Sequence, residues 1–363
     1  MTKAAVEHLI EILDSNLPRS ILFQKNVPVL AEAFHVESMR QILQHALLGP
    51  NNERYSIVSC IPGKALYLPD HMINLQYKLT VLDKTAGQTS TTLANARLFE
   101  DISSCKAYLE NTLGSIAART NNRPEIKPFA NPVAMVEHLK MALSVFPIDG
   151  MIPLLVEATD PHQLAALLAE TLSEAVSGQF LIKDIRLELA HYGRYERCVL
   201  RYSIDGIQAA TQTPHHMTVY GKIDAEGLGG ETVSIISALR ERLQEPDVPY
   251  RFRIPYILGY FPEIRLLLME ALPGKPFFKD LLKTWASNGS QENGDMEASF
   301  ERQLTLEGAV RACALIAATL HSSDIKLGPH RTLEIQVAQL REETEVIGRT
   351  FPELRAQIES WIN

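Results

Sequence analysis

The sequence has no CxxC pair and no grouping of cysteine with histidine; Cys60, Cys105, Cys198 and Cys313 stand far apart. That spacing speaks against a zinc site and against a disulfide framework, and it is the cysteine usage of a reducing cytosol. Long apolar runs are missing as well. The longest, such as Met151 to Val156 and Cys313 to Leu320, fall far short of the roughly 20 residues needed to cross a bilayer, so no membrane span is expected. There is no basic excess: the formal charge is -8, with acids and bases interspersed, which argues against a surface for nucleic acid or acidic lipid. Aromatic residues make up only 7% of the chain and form no basic-aromatic stripe on which bases could stack.

Several catalytic signatures are absent too. No GxSxG elbow supports Ser/His/Asp hydrolysis. No GxxxxGK[ST] occurs, and the last glycine of a GxGxxG would have to stand at Thr232, so neither a P-loop nor a dinucleotide fingerprint is present. The first residues carry Glu7, Glu11 and Asp14 among the helically spaced Val6, Leu9, Ile10 and Leu13, acids that a signal peptide would lack. A cytoplasmic protein is the expectation.

The chain that remains has 363 residues, 46% of them hydrophobic; it is long enough for two domains and has the apolar content to fill them. Its organisation emerges when the sequence is slid against itself by 125 residues. A helical pattern at Met39, Ile42, Leu43 and Leu47 then falls on Leu164, Leu167, Leu168 and Leu172. Tyr55 and Ile57 fall on Phe180 and Ile182, Tyr67 on Tyr192, Tyr77 on Tyr202, Ala96 on Gly221, and Arg97 on Lys222. The register holds for roughly sixty residues without a gap, which reads as a repeat. Each copy is predicted to be a helix followed by an antiparallel sheet. Leu75, Tyr77 and Leu79 share one face in the first, and Leu200, Tyr202 and Ile204 in the second.

The second copy carries more chemistry. In its strand near 217–223, Thr218, Tyr220 and Lys222 point away from Met217, Val219, Gly221 and Ile223. Taken alone, Lys222 reads as a solvated strand lysine. The following DAEGLGGE places Gly227, Gly229 and Gly230 before a helix that opens with Glu231; the glycines are compatible with a plain flexible turn, and Glu231 with a partner aimed at Lys222. Further on, RIPYILGYFPEIRLLLMEALPGKPF (253–277) reads as two apolar strands around a turn at Phe261 to Glu263, ending in Glu270, Ala271, Leu272, Pro273 and Gly274. An apolar strand that runs into a Pro-Gly connector offers free backbone groups beside a greasy wall, which suits an adenine ring.

Strand lysine, helix glutamate, the PYILGY approach, LLLMEALPGKPF and an alanine-rich helix ending in Leu320-His321 together resemble the first half of the aminoglycoside phosphotransferase family, which has a protein-kinase-like fold. The resemblance covers about 180–321. It implies that Lys222 holds the ATP α/β-phosphates, that Glu231 pairs with Lys222, that the backbone of Glu270 and Leu272 binds adenine, and that HYGRYER (191–197) covers the phosphates; Mg2+ would accompany the nucleotide. A fixed point charge suits phosphoryl transfer, which needs positioning and charge neutralisation more than covalent chemistry. The family's catalytic and metal-binding aspartates have no counterpart after His321, where Asp324 is the one aspartate and belongs to no HxD. The first copy has Arg97 for the lysine and Lys106 where an acid would stand, and reads as a non-binding lobe kept for packing.

The sequence thus predicts an α+β protein: a degenerate kinase N-lobe-like repeat (1–158), a nucleotide-binding N-lobe (159–272), and the opening helices of an incomplete C-lobe (273–363), with a mobile polar connection at 284–302. The expected function is that of an ATP-dependent phosphotransferase acting on a hydroxyl of a small substrate, inactive as this chain stands; the alternative is a non-catalytic, pseudokinase-like nucleotide-binding or protein-interaction module. His215-His216 is expected at an exposed hairpin tip, and Glu342-Glu343 on a solvated helix face.

Overall fold

The computed structural model describes residues 28–274, 306–325 and 332–350, apart from 64, 68–72, 121–122, 177, 194–196, 246–247, 249 and 251, and the isolated 356 and 360. The N-terminal helical pattern and the 284–302 connection lie outside the described residues.

Why helices start where they do is visible in their caps. The short α1 (Pro28–Ala33) is followed by α2 (Val36–Leu43), whose first turn is capped by the His35 ring accepting from the Ser38 N–H at 3.2 Å. A π-helical turn (Gln44–Leu48) continues it to Gly49, in the left-handed region at φ 85°. Strands β1 (Tyr55–Pro62), β2 (Leu66–Tyr67), β3 (Ile73–Asp83) and β4 (Gln88–Leu98) follow, then α3 (Ile102–Tyr108), a π turn and α4 (Gly114–Ala117), then β5 (Val133–Val136) and β6 (Met141–Val145). The sheet is antiparallel, in the order β1-β3-β4-β6-β5, with β2 paired to β3.

A second set repeats the first. It comprises α5 (Leu155–Ala158), α6 (Pro161–Ala175), β7 (Phe180–Gly193), β8 (Arg197–Gln208), β9 (Pro214–Asp224), α7 (Gly229–Arg242), β10 (Ile257–Phe261) and β11 (Leu266–Glu270), in a sheet ordered β7-β8-β9-β11-β10. Asp160 caps α6 through the N–H groups of His162 and Gln163, with Pro161 in the first turn, where its missing donor and fixed φ do no harm. Helices α8 (Leu306–His321) and α9 (Leu333–Thr350) come last.

The two sheets agree strand by strand at the same 125-residue offset. Tyr77 faces Ala94 as Tyr202 faces Val219, Asn74 faces Arg97 as Val199 faces Lys222, and Leu98 faces Met141 as Ile223 faces Leu266. Irregularities recur as well: the register shift at Ile57/Ser59 returns at Ile182/Asp184, and the left-handed residues Gly87 and Lys140 return at Gln212 and Arg265. Each short helix is tied down alike, since the Tyr77 hydroxyl donates to the Ala33 carbonyl at 2.8 Å and the Tyr202 hydroxyl to the Ala158 carbonyl at 2.9 Å. These are last-turn carbonyls that have no partner within their own helices. The correspondence therefore runs from 33 to 145 against 158 to 270, well past the sixty residues legible in the sequence.

Each repeat has its own core between its sheet and the helix that precedes that sheet. The first gathers Met39, Leu43, Leu47, Leu75, Tyr77, Leu79 and Leu143; the second gathers Leu164, Leu168, Leu172, Phe180, Leu200, Tyr202 and Leu268. Among the described residues no helix is long and apolar enough to cross a membrane.

Candidate functional site

Lys222 lies on the central strand β9, opposite Val199 of β8 and Leu267 of β11, and is half-buried. Its face is the one away from the Tyr202 core, as alternation along the strand requires. On the core face, Gly221 is needed for close packing: a Cβ there would stand 2.5 Å from the Tyr202 ring and 2.6 Å from Leu266.

Glu231 sits in the first turn of α7, also half-buried. No ion pair or hydrogen bond joins it to Lys222, and among the described residues Lys222 pairs with no carboxylate. The glycine turn between them is held by its own contacts. Asp224 Oδ1 accepts from the Gly227 and Leu228 N–H groups, Tyr260 donates to the Gly227 carbonyl at 3.1 Å, and the Arg265 guanidinium donates to the Ala225 carbonyl. Gly227 has φ 77°, and Gly229 lies so close to Tyr260 that a Cβ would stand 2.1 Å from the ring. These glycines serve backbone conformation and packing.

Glu270 ends β11 opposite Val219. Its N–H donates to the Tyr256 carbonyl at 2.9 Å, its Oε1 accepts from the Tyr256 N–H at 3.0 Å, and its Oε2 lies 3.2 Å from Arg253. Leu272 lies two residues beyond, half-buried. The fold thus puts Lys222 and Glu270 on neighbouring strands of one sheet, with Glu231 on the helix that packs across β9, β10 and β11, but it does not close the Lys222–Glu231 pair.

One further expectation changes. His215 and His216 belong to β9, not to a hairpin tip; they face Gly206 and Asp205, and the His216 ring is bonded to Asp205 at 2.7 Å. Pairing in the strand sets their place, because the β8–β9 connection is made by the residues before Pro214. Residues 194–196 of HYGRYER lie outside the described residues; near the end of β7, Tyr192 reaches into the first repeat, where its hydroxyl meets Asp149 and Asn95.

There a polar recess is built that the sequence reading missed. Asn74 of β3, Asn95 and Arg97 of β4 and Ser144 of β6 share the inner face of the first sheet and are buried. Arg97 donates through Nε to Asn74 Oδ1 at 2.8 Å, and its guanidinium carbon lies 4.7 Å from the Tyr108 ring centroid. Asp149, in the connector after β6, closes the recess, with Gly150 set directly under Tyr108: a Cβ there would reach the phenol oxygen at 2.0 Å. Burial pushes the Asp149 carboxyl up to about 6, against hydrogen bonds from the Met151 and Ile152 N–H groups and the nearby Arg97 charge, all of which lower it. Burial also raises the Tyr108 phenol to about 12.

The free space of the recess is ≈ 10 Å³, enough for about one water and far too small for a nucleotide. Asn74 lines it, and its amide nitrogen is buried and without a partner among the described residues. A signal for this site did exist: TLANARL places Asn95 and Arg97 alternately with apolar residues on a strand that is buried on both faces.

Among the described residues no group of three or more His, Cys, Asp or Glu side chains could hold a metal ion. No protein-family model matches the chain, and neither a curated protein nor a solved structure matches it.

Proposed function

We propose that the second repeat is a protein-kinase-like nucleotide-binding lobe, part of an ATP-dependent phosphotransferase that acts on a hydroxyl of a small substrate. The observation that carries the reading is the placing of Lys222: third strand of a five-stranded antiparallel sheet, followed by a helix with an acid in its first turn and by the strand pair β10–β11. A kinase lobe uses its third-strand lysine and the next helix's glutamate in that order. A cation that meets no carboxylate among the described residues, on a half-buried sheet face, has its charge available for a phosphate. The residues fit Mg2+ less well. No carboxylate cluster stands near Lys222 among the described residues, so the ion would arrive with the nucleotide phosphates and be held through them. The acceptor pocket, the catalytic base and the metal ligands are assigned to no residue of this chain.

A second reading, a non-catalytic nucleotide-binding or interaction module, is favoured by the lack of a contact between Lys222 and Glu231. In a working kinase site that pair must be in place.

Calorimetric titration with ATP, with and without Mg2+, tests the first reading. Saturable binding is expected, weakened about 10- to 100-fold in Lys222→Ala, the loss of one charge-assisted hydrogen bond, and unchanged in Arg97→Lys, whose recess cannot admit the ligand. Absence of binding by the folded chain, or equal affinity in Lys222→Ala, would remove the assignment. Binding that depends on Lys222, with no transfer to any hydroxyl acceptor, would favour the second reading.

A further inference from the structure

We propose that Asp149, Tyr192 and Asn95 form a protonation-controlled latch that fastens the first hairpin of the second repeat onto the inner sheet face of the first. The proposal is independent of nucleotide binding. Asp149 is 3% exposed and belongs to the connector between the repeats. Its Oδ1 accepts from the Met151 N–H at 2.6 Å and the Ile152 N–H at 3.2 Å, which sets the turn of that connector. Its Oδ2 accepts from the Tyr192 hydroxyl at the end of β7, and the Asn95 amide of β4 approaches it at 3.5 Å. The same amide donates to the Tyr192 hydroxyl at 2.8 Å, and Phe146 stands edge-on to the Tyr192 ring at 5.9 Å. One carboxyl group thus collects donors from the first sheet, the connector and the second sheet.

Among the described residues, the titratable and charged groups that face it are few. Among the described residues, Arg97 of β4 is the cation whose charge bears on it, but Arg97 makes no ion pair with it, its Nε being bonded to Asn74 and its guanidinium lying over Tyr108. Tyr108 from α3 and Cys198 from β8 are kept neutral by burial, each pushed up to about 12. Tyr192 completes the set. Ionised Asp149 therefore rests on neutral donors and a cation in no direct contact with it, and burial holds its carboxyl at about 6. That is above the value near 4 of an unfolded chain. The sign follows: the folded, latched state binds the proton more tightly, so the Asp149 contribution to stability is fully present below about pH 4 and is lost as pH rises through about 6.

Urea unfolding of the wild type, Asp149→Asn and Tyr192→Phe from pH 4 to pH 7.5 tests this. Over that range the wild-type folding constant is expected to fall about a hundredfold relative to Asp149→Asn, the equivalent of a displacement of about two pH units. Tyr192→Phe should fall more steeply still, because the ionised carboxylate has lost a donor. Amide exchange at the β7–β8 hairpin, compared between variants at each pH so that intrinsic pH effects cancel, reports the latch itself. The ratio of wild-type to Asp149→Asn rates is expected to rise toward neutrality. Equal pH profiles for wild type and Asp149→Asn, a Tyr192→Phe profile that superposes on wild type, or an exchange ratio independent of pH would each overturn the proposal. Should Asp149→Asn fail to fold, the comparison of Tyr192→Phe with wild type decides.

Discussion

Removing one hydroxyl from each repeat tests whether the two units are held together by the same contact. In Tyr77→Phe the Ala33 carbonyl loses its donor, and in Tyr202→Phe the Ala158 carbonyl does. Both phenols are fully buried, both rings keep their packing, and both bonds are of ordinary length, so no cavity or charge term enters. What changes is one hydrogen bond and one helix-end carbonyl left dry. A typical net hydrogen bond is worth about 1 kcal/mol, and stranding a buried acceptor raises the loss to about 1–3 kcal/mol. Each substitution should therefore destabilise by about 1–2 kcal/mol, or lower Tm by about 3–6 °C for a unit of this size. The two tyrosines share no partner, so the double variant should lose the sum. Urea unfolding followed by far-UV circular dichroism, with tyrosine fluorescence as a second probe, measures all three. A loss below about 0.3 kcal/mol in either variant would refute the assignment of that hydroxyl to the helix carbonyl. Losses in the two repeats that differ by more than about 1 kcal/mol would refute the claim that they are energetically equivalent.

Other expectations follow from neighbouring contacts. Gly229→Ala should destabilise by about 1–3 kcal/mol, because its Cβ would collide with Tyr260, whereas Gly230→Ala, whose nearest atom is 3.7 Å away, should be neutral or stabilising by up to about 1 kcal/mol; parallel thermal melts decide. Asp224→Ala removes two donors' acceptor at the start of α7 and should cost about 1 kcal/mol, read by the same melts. Of the four cysteines, three are buried, and burial lifts Cys60 and Cys198 to about 12 and Cys105 to about 11. A maleimide at neutral pH should therefore label Cys313 quickly in the native chain and all four after denaturation, as intact mass would show.

Periodicity alone determined much of this protein. Alternation in NLQYKL and helical spacing at Met39, Leu43 and Leu47 mark which faces are apolar, and because side-chain direction follows backbone period, strands, helices and even the 125-residue offset could be read before any coordinates. The same holds for the caps, where Asp160 before Pro161 announces a helix start through purely local bonds. Contacts between distant segments were decided by the tertiary structure. Whether Glu231 reaches Lys222 depends on how α7 lies across its sheet, and the turn before it is set by Tyr260 and Arg265, which lie beyond the helix in sequence. Nothing in the residues around Asp149 signals that a tyrosine over forty positions later will meet it, nor that burial will raise its carboxyl. Local sequence sets dihedrals and faces because those energies are short-ranged; burial, ion pairing and proton affinity depend on which surfaces meet, and only the folded chain specifies that.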